Sequence, residues 1–288
     1  MAKSKNGGTR SFIKGRIGSD VYSVGKDGKG ARQQVVRSLA EQVSNPRTES
    51  QMRGRMIMST VMQTVSGLSQ IIDHSFDGLS SGQPSISEFI RRNYALVKAD
   101  VAANPSAGNS FGLVKYQEKN PRGGAYVIAA GSAVLPSAVV PEASGLIINL
   151  TAATLTVGGL KSALGLSADG YLTFVGIRNG EGAYFYRVRL TTTLADDTAI
   201  SSANVGSLFT FEGNIEVAAE LTENSIWINP TDNNTFTSRG VIVSEKSNGS
   251  WIHNNCTMEV SDDPQYSSSV ALPTYPTGAA QFLNGGEL

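Results

Sequence analysis

Gly240-Val241-Ile242-Val243-Ser244-Glu245-Lys246-Ser247-Asn248-Gly249-Ser250-Trp251-Ile252-His253 is the stretch that decides the fold of this chain. Asn-Gly between two β-prone runs is the strongest short-range hairpin signal, because the tight turn that matches strand twist needs residues that tolerate positive φ. Working outward, further β-prone runs lie at 112–116, 125–130, 145–150, 171–177, 183–190, 208–211 and 225–228, and the last runs from Trp251 to Val260. Turn residues separate nearly all of them. Strand runs at this spacing predict an antiparallel sandwich or barrel over 105–261. Residues 262–288 are polar and rich in Ser, Pro and Gly, and they read as a tail that orders only against a partner.

Upstream the apolar period changes from two to that of a helix. Met58, Val61, Val65, Leu68, Ile72 and Phe76 form a stripe, which Met52, Met56, Ile57, Met62 and Ile71 widen. Asn45-Pro46 opens this helix, or Thr48 caps it with Gln51 reaching back, and Asp77-Gly78 ends it. A second helix is predicted from a capping box of Ser85 and Glu88 through Phe89, Ile90, Tyr94, Leu96 and Val97 to Ala103, where Asn104-Pro105 stops it. Two amphipathic helices this close predict a helical hairpin over 45–104.

The formal net charge is zero, but it is unevenly spread. Residues 1–55 hold 12 of the 24 Lys and Arg against four acids, so they carry +8 and the rest of the chain −8. Within 1–44, two short β-prone runs flank Asp27-Gly28 and predict a hairpin too small to be stable alone. The Gly-rich basic arm supplies the candidate contact residues Arg10, Lys14, Arg16, Lys26, Lys29, Arg32 and Arg37. Two accounts of them stay open. They hold phosphates through charge without reading bases, or they reach across an acidic neighbouring subunit.

Sites for chemistry are not expected. The Gly25–Gly30 loop lacks the Walker spacing. Cys256 is the single cysteine, so an intrachain disulfide is excluded. His253 and Cys256, three apart on a strand, point to opposite faces and do not make a metal site. Asp73-His74-Ser75 is not a triad, since neighbouring helix positions diverge. Arg91-Arg92 reads as a solvated helix face with Tyr94 turned inward. No cofactor is called for. Pro136, Pro141 and Glu142 break the least charged stretch, so a membrane span is not expected.

Some of these segments resemble a known pattern. The Gly-rich start, Gly15-Arg16-Ile17-Gly18, the basic turn, Asn45-Pro46-Arg47-Thr48 with Gln51 and Arg55, then Gly240-Val241-Ile242-Val243 and Gly249-Ser250-Trp251, are similar to an uncharacterised domain family of gut Bacteroidota and their phages. The likeness covers about the first 100 residues and the final hairpin. It implies a phage or mobile-element origin and a β-sandwich second half, and it carries no catalytic residues. The expectation is therefore an α+β chain: basic arm with β-hairpin, helical hairpin, then antiparallel β-sandwich. The function expected is a non-enzymatic structural protein of a virion. It would be a minor capsid, connector-associated or decorating component that contacts other subunits, homo-oligomeric, and assembled in the bacterial cytoplasm. The alternatives are a particle-internal protein touching nucleic acid through the arm, or a surface glycan- or host-binding β module using Trp227, Trp251 and Tyr266.

Overall fold

The computed structural model describes residues 3–4, 13–26, 32–39, 49–103, 123–151, 155–178, 181–191 and 193–261. The chain divides into two compact units, Met1–Arg47 and Thr48–Leu288. In the first, β1 (Lys3–Ser4), β2 (Ile13–Ile17), β3 (Asp20–Lys26) and β4 (Arg32–Ser38) make one antiparallel sheet in chain order. Gly18 turns β2 into β3 at φ +59, a left-handed conformation that costs glycine little. β3 and β4 pair without a slip from Asp20↔Ser38 to Lys26↔Arg32. No residue of this unit whose side chain is described is buried.

The second unit is built on two sheets. Its helices are α1 (Glu49–Ile72), α2 (Gln83–Ala103) and α3 (Val157–Leu164). The larger sheet runs β10 (Phe209–Gly213), β9 (Gly182–Leu190), β8 (Tyr171–Arg178), β13 (Ser238–Ser247), β14 (Ser250–His253), with β16 (Glu259–Val260) on the other end of β13. The smaller runs β11 (Val217–Thr222), β12 (Ser225–Pro230), β7 (Gly145–Asn149), β6 (Val139–Glu142). β5 (Val127–Ala129) pairs with β15 (Cys256–Thr257). All the strand pairs are antiparallel. Asn248 at φ 49 and Gly249 at φ 82 form the two-residue turn between β13 and β14, with Ser247 opposite Ser250, as the Asn-Gly signal predicts.

Strand alternation sorts the larger sheet into two buried faces. Leu172, Phe174, Tyr186, Val188, Val241 and Val243 meet Leu146, Ile148, Ile226 and Ile228 of the smaller sheet in one core. The Tyr186 hydroxyl crosses that core to donate to the Ile228 carbonyl at 2.7 Å. Val175, Ile177 and Ile242, one residue out of phase, meet Val61, Val65, Leu68, Ile72 and Phe89 of the helices in the other. The order is therefore helices, sheet, sheet. The α+β class and a sandwich-like arrangement of antiparallel sheets follow. The helical hairpin therefore shares a core with the strands, within the one compact unit.

Several boundaries differ from expectation. α1 ends at Ile72, short of Asp77-Gly78, because Ser75–Asp77 pair with another segment. Ala130 N–H donates to the Ser75 carbonyl and Asp77 N–H to the Ala130 carbonyl, both at 3.0 Å. The buried stripe of α1 is rotated towards Ile57, Thr60 and Thr64, which leaves Met58 and Met62 exposed, with Leu96 exposed on α2. The Ser85–Glu88 box is not made. Ser85 Oγ donates to the Ser80 carbonyl at 3.1 Å, Glu88 takes Arg91 and Arg92 instead, and α2 starts at Gln83. α3, β6 and β11 were not expected. α3 carries a Gly158-Gly159 pair of poor helix propensity. It is held by the Thr156 cap, whose hydroxyl accepts from Gly159 N–H at 3.1 Å, and by burial of Val157, Leu160 and Leu164. The predicted strand at 112–116, the Asn45–Thr48 opening and the tail at 262–288 lie outside the described residues.

Candidate functional site

The N-terminal sheet places the predicted contact residues unequally. Lys14, Arg16 and Arg37 are exposed. Arg10 and Lys29 lie outside the described residues. Lys26 and Arg32 form the last backbone pair of β3 and β4. Register then separates two faces. Arg16 opposes Val21, which opposes Arg37, and Lys14 is two residues from Arg16, so these three cations share one face. Gly15 opposes Tyr22, which opposes Val36, and Ile17 opposes Asp20. The second face thus carries Ile17, Tyr22, Val24 and Val36, with positions 26 and 32 at its far end in the same register, while Val21 and Val35 lie on the face of the three cations. Ile17 is 49% and Val36 51% exposed.

In the second unit, an open cleft of about 640 Å³ lies where α1 stops short of covering the larger sheet. Its floor is set by register. Glu212 of β10 opposes Arg187 of β9, which opposes Thr173 of β8. Tyr171 opposes Ser244, which opposes His253, and Lys246 opposes Trp251. Tyr171 and Trp251 meet edge-on with centroids 5.4 Å apart. Arg187 and Arg189 both place their guanidinium carbon 5.6 Å from the Tyr171 ring centre. His74, beyond the end of α1, lines the opposite wall. Sequence reading noted Trp251 but missed the two arginines. The signal was the alternation Arg187-Val188-Arg189, which on a strand puts both cations on one face.

Asp77 holds the rim of this cleft. Its carboxylate accepts from His253 N–H at 2.8 Å and from Ser132 N–H at 3.0 Å. A methyl group on Gly131 would sit 2.2 Å from that carboxylate, so glycine is required there. His253 Nδ1 lies 3.0 Å from Ser244 Oγ. The pair resembles a nucleophile and base, yet Ser244 is 2% exposed and Asp77 engages the His253 backbone rather than its ring. An acyl-transfer site needs a reachable nucleophile and an oriented base, and this pair offers neither. Burial lowers the His253 pKa, which disfavours the charged ring.

The remaining candidates are structural. Cys256 is buried beside Gly240, and burial pushes its thiol up to about 12. His253 and Cys256 occupy separate strands, and no group of three or more His, Cys, Asp or Glu suited to a metal occurs among the described residues. Arg91, then Arg92, hold the Glu88 carboxyl down to about 2 through hydrogen bonds. Tyr94 packs against the helix–sheet core. No described helix is long and apolar enough to cross a membrane. No protein-family model, curated protein or solved structure matches the chain.

Proposed function

We propose that this chain is a non-enzymatic structural subunit of a phage-type particle, docked to a neighbouring copy by the apolar face of its N-terminal sheet. The observation that carries this reading is a four-stranded sheet with no buried residue among its described side chains and with Ile17 and Val36 about half exposed. Such a sheet has no core of its own and needs another surface to be stable. The partner is a second copy: residues 56–288 carry −8 against the +8 of residues 1–55, an asymmetry that steers two copies together at long range without placing Lys14, Arg16 and Arg37 in the contact. The resemblance of the N-terminal segments to a phage-associated domain family supports placing the subunit in a virion.

The test is self-association of the full chain by sedimentation, alone and as the Ile17→Asp/Val36→Asp variant. The wild type is expected to associate in a concentration-dependent way, and the variant to stay monomeric with unchanged circular dichroism. A wild type that stays monomeric at high concentration, or a variant that still associates, overturns the docking role. A second reading, contact with packaged nucleic acid, is favoured by the placement of Lys14, Arg16 and Arg37 on the opposite face, where docking leaves them free.

A further inference from the structure

The geometry points to the cleft between the end of α1 and the larger sheet as a binding site for an acidic sugar residue of a glycan, with Arg187 and Arg189 on its carboxylate and Trp251 under its ring. The volume, about 640 Å³, is in the range of small-ligand sites. Trp251 is 42% exposed although it is large and apolar, and Tyr171 meets it at 60° rather than stacked flat on it, so that ring covers at most one of the two indole faces. An exposed indole face stacks on the C–H side of a pyranose, while the sugar's hydroxyls turn to polar groups at the rim. Ser250, Glu212 and His74 supply such groups there.

Charge selects the anion. Arg187 and Arg189 are two residues apart on β9 and flank the same tyrosine ring. Glu212, opposite Arg187 in register, cancels one of the two cations. The three groups sum to one positive charge, which a carboxylate neutralises and a dianionic phosphate exceeds. Arg187 Nε is buried without a hydrogen-bond partner, and buried guanidinium donors are normally satisfied. Planar, forked guanidinium groups suit a carboxylate better than a lone ammonium does. The cleft is lined by residues of the second unit alone, so glycan binding and docking through the N-terminal sheet fail independently.

The test is fluorescence titration of the full chain carrying Trp227→Phe, which leaves Trp251 as the single tryptophan. The probes are sialyllactose and a hyaluronan tetrasaccharide, with lactose as the neutral control and a 5′-phosphorylated thymidine dinucleotide as the dianionic-phosphate control. A saturable change with at least one acidic oligosaccharide is expected, at a dissociation constant of about 1 mM or tighter, with lactose at least tenfold weaker. Arg189→Gln, at an exposed position, should weaken binding about tenfold or more without moving the melting temperature. Absence of a saturable change with both acidic probes overturns the assignment. So do equal binding of lactose, tighter binding of the dinucleotide, and unchanged affinity in Arg189→Gln.

Discussion

Two buried asparagines stand where strand backbone would otherwise lie unpaired. Asn254 Oδ1 accepts from Val243 N–H at 2.9 Å and its Nδ2 donates to the Val241 carbonyl at 3.1 Å. One side-chain amide thus continues the β13 ladder between β14 and β16. Asn93 does the same for Val127 on β5, accepting at 2.8 Å and donating at 2.9 Å. Asn254→Leu would leave a buried donor and acceptor unmet, at about 1–3 kcal/mol for each such group. Denaturant unfolding should show a loss of about 2 kcal/mol or more. A near-neutral variant would mean that water takes over both bonds. His253 gives a pH prediction at the same scale. Burial lowers its pKa; Asp77 opposes the shift and His74 adds to it. The unfolded chain therefore binds this proton more readily than the folded one. Stability is complete above the ordinary histidine value near 6.5 and falls as pH drops through it towards the lower folded pKa. His253→Gln should remove that part of the acid-side loss, read as the melting temperature against pH. An identical pH profile in the variant would show that the ring titrates alike in both states.

At the scale of elements, α1 and the β13–β14 turn make opposite kinds of claim. Leu68 is 1% exposed inside the helix–sheet core, so Leu68→Ala should cost about 2–5 kcal/mol by lost transfer energy and a residual cavity. Gly249 has open space around an added Cβ, but its φ is +82. Gly249→Ala should therefore cost about 1–2 kcal/mol from backbone strain alone, with no change in the core's near-ultraviolet signal. These elements were legible because their signals are local: an Asn-Gly turn, a helical stripe, and runs such as Tyr171–Arg178 that read as strand on either face. What was not legible depends on partners distant in sequence. The end of α1 is set by Ala130, and the burial of Thr60 and Thr64 by the sheet beneath them; the fate of Glu88 is instead a local competition, in which two arginines one turn on displace the cap. α3 was hidden by its glycines. In the cleft, Trp251 was visible as a lone aromatic, but only the register of β8, β9 and β14 brings it beside Arg187 and Arg189. The Arg-x-Arg alternation shows that the two share a face, not what lies across from them.

For the whole molecule, the division of charge acquires a direction from the first sheet. Its apolar face and its basic face are opposite sides of the same strands, so docking and anion contact are separable by mutation. The full chain should bind duplex DNA without sequence preference. Its log K should fall linearly with log salt, with a slope of about −0.9 for each phosphate neutralised. Lys14→Gln/Arg16→Gln/Arg37→Gln should flatten that slope by about 0.9 for each phosphate contact removed and leave self-association intact. The Ile17→Asp/Val36→Asp variant should do the reverse, losing self-association while an isolated chain keeps its intrinsic slope. If the charge variant instead abolishes self-association and DNA binding is feeble even at low salt, the basic face clamps an acidic neighbour rather than a phosphate backbone. Opposite faces make the first outcome the expected one, because a sheet held by Ile17 and Val36 turns Lys14, Arg16 and Arg37 away from the surface that holds it.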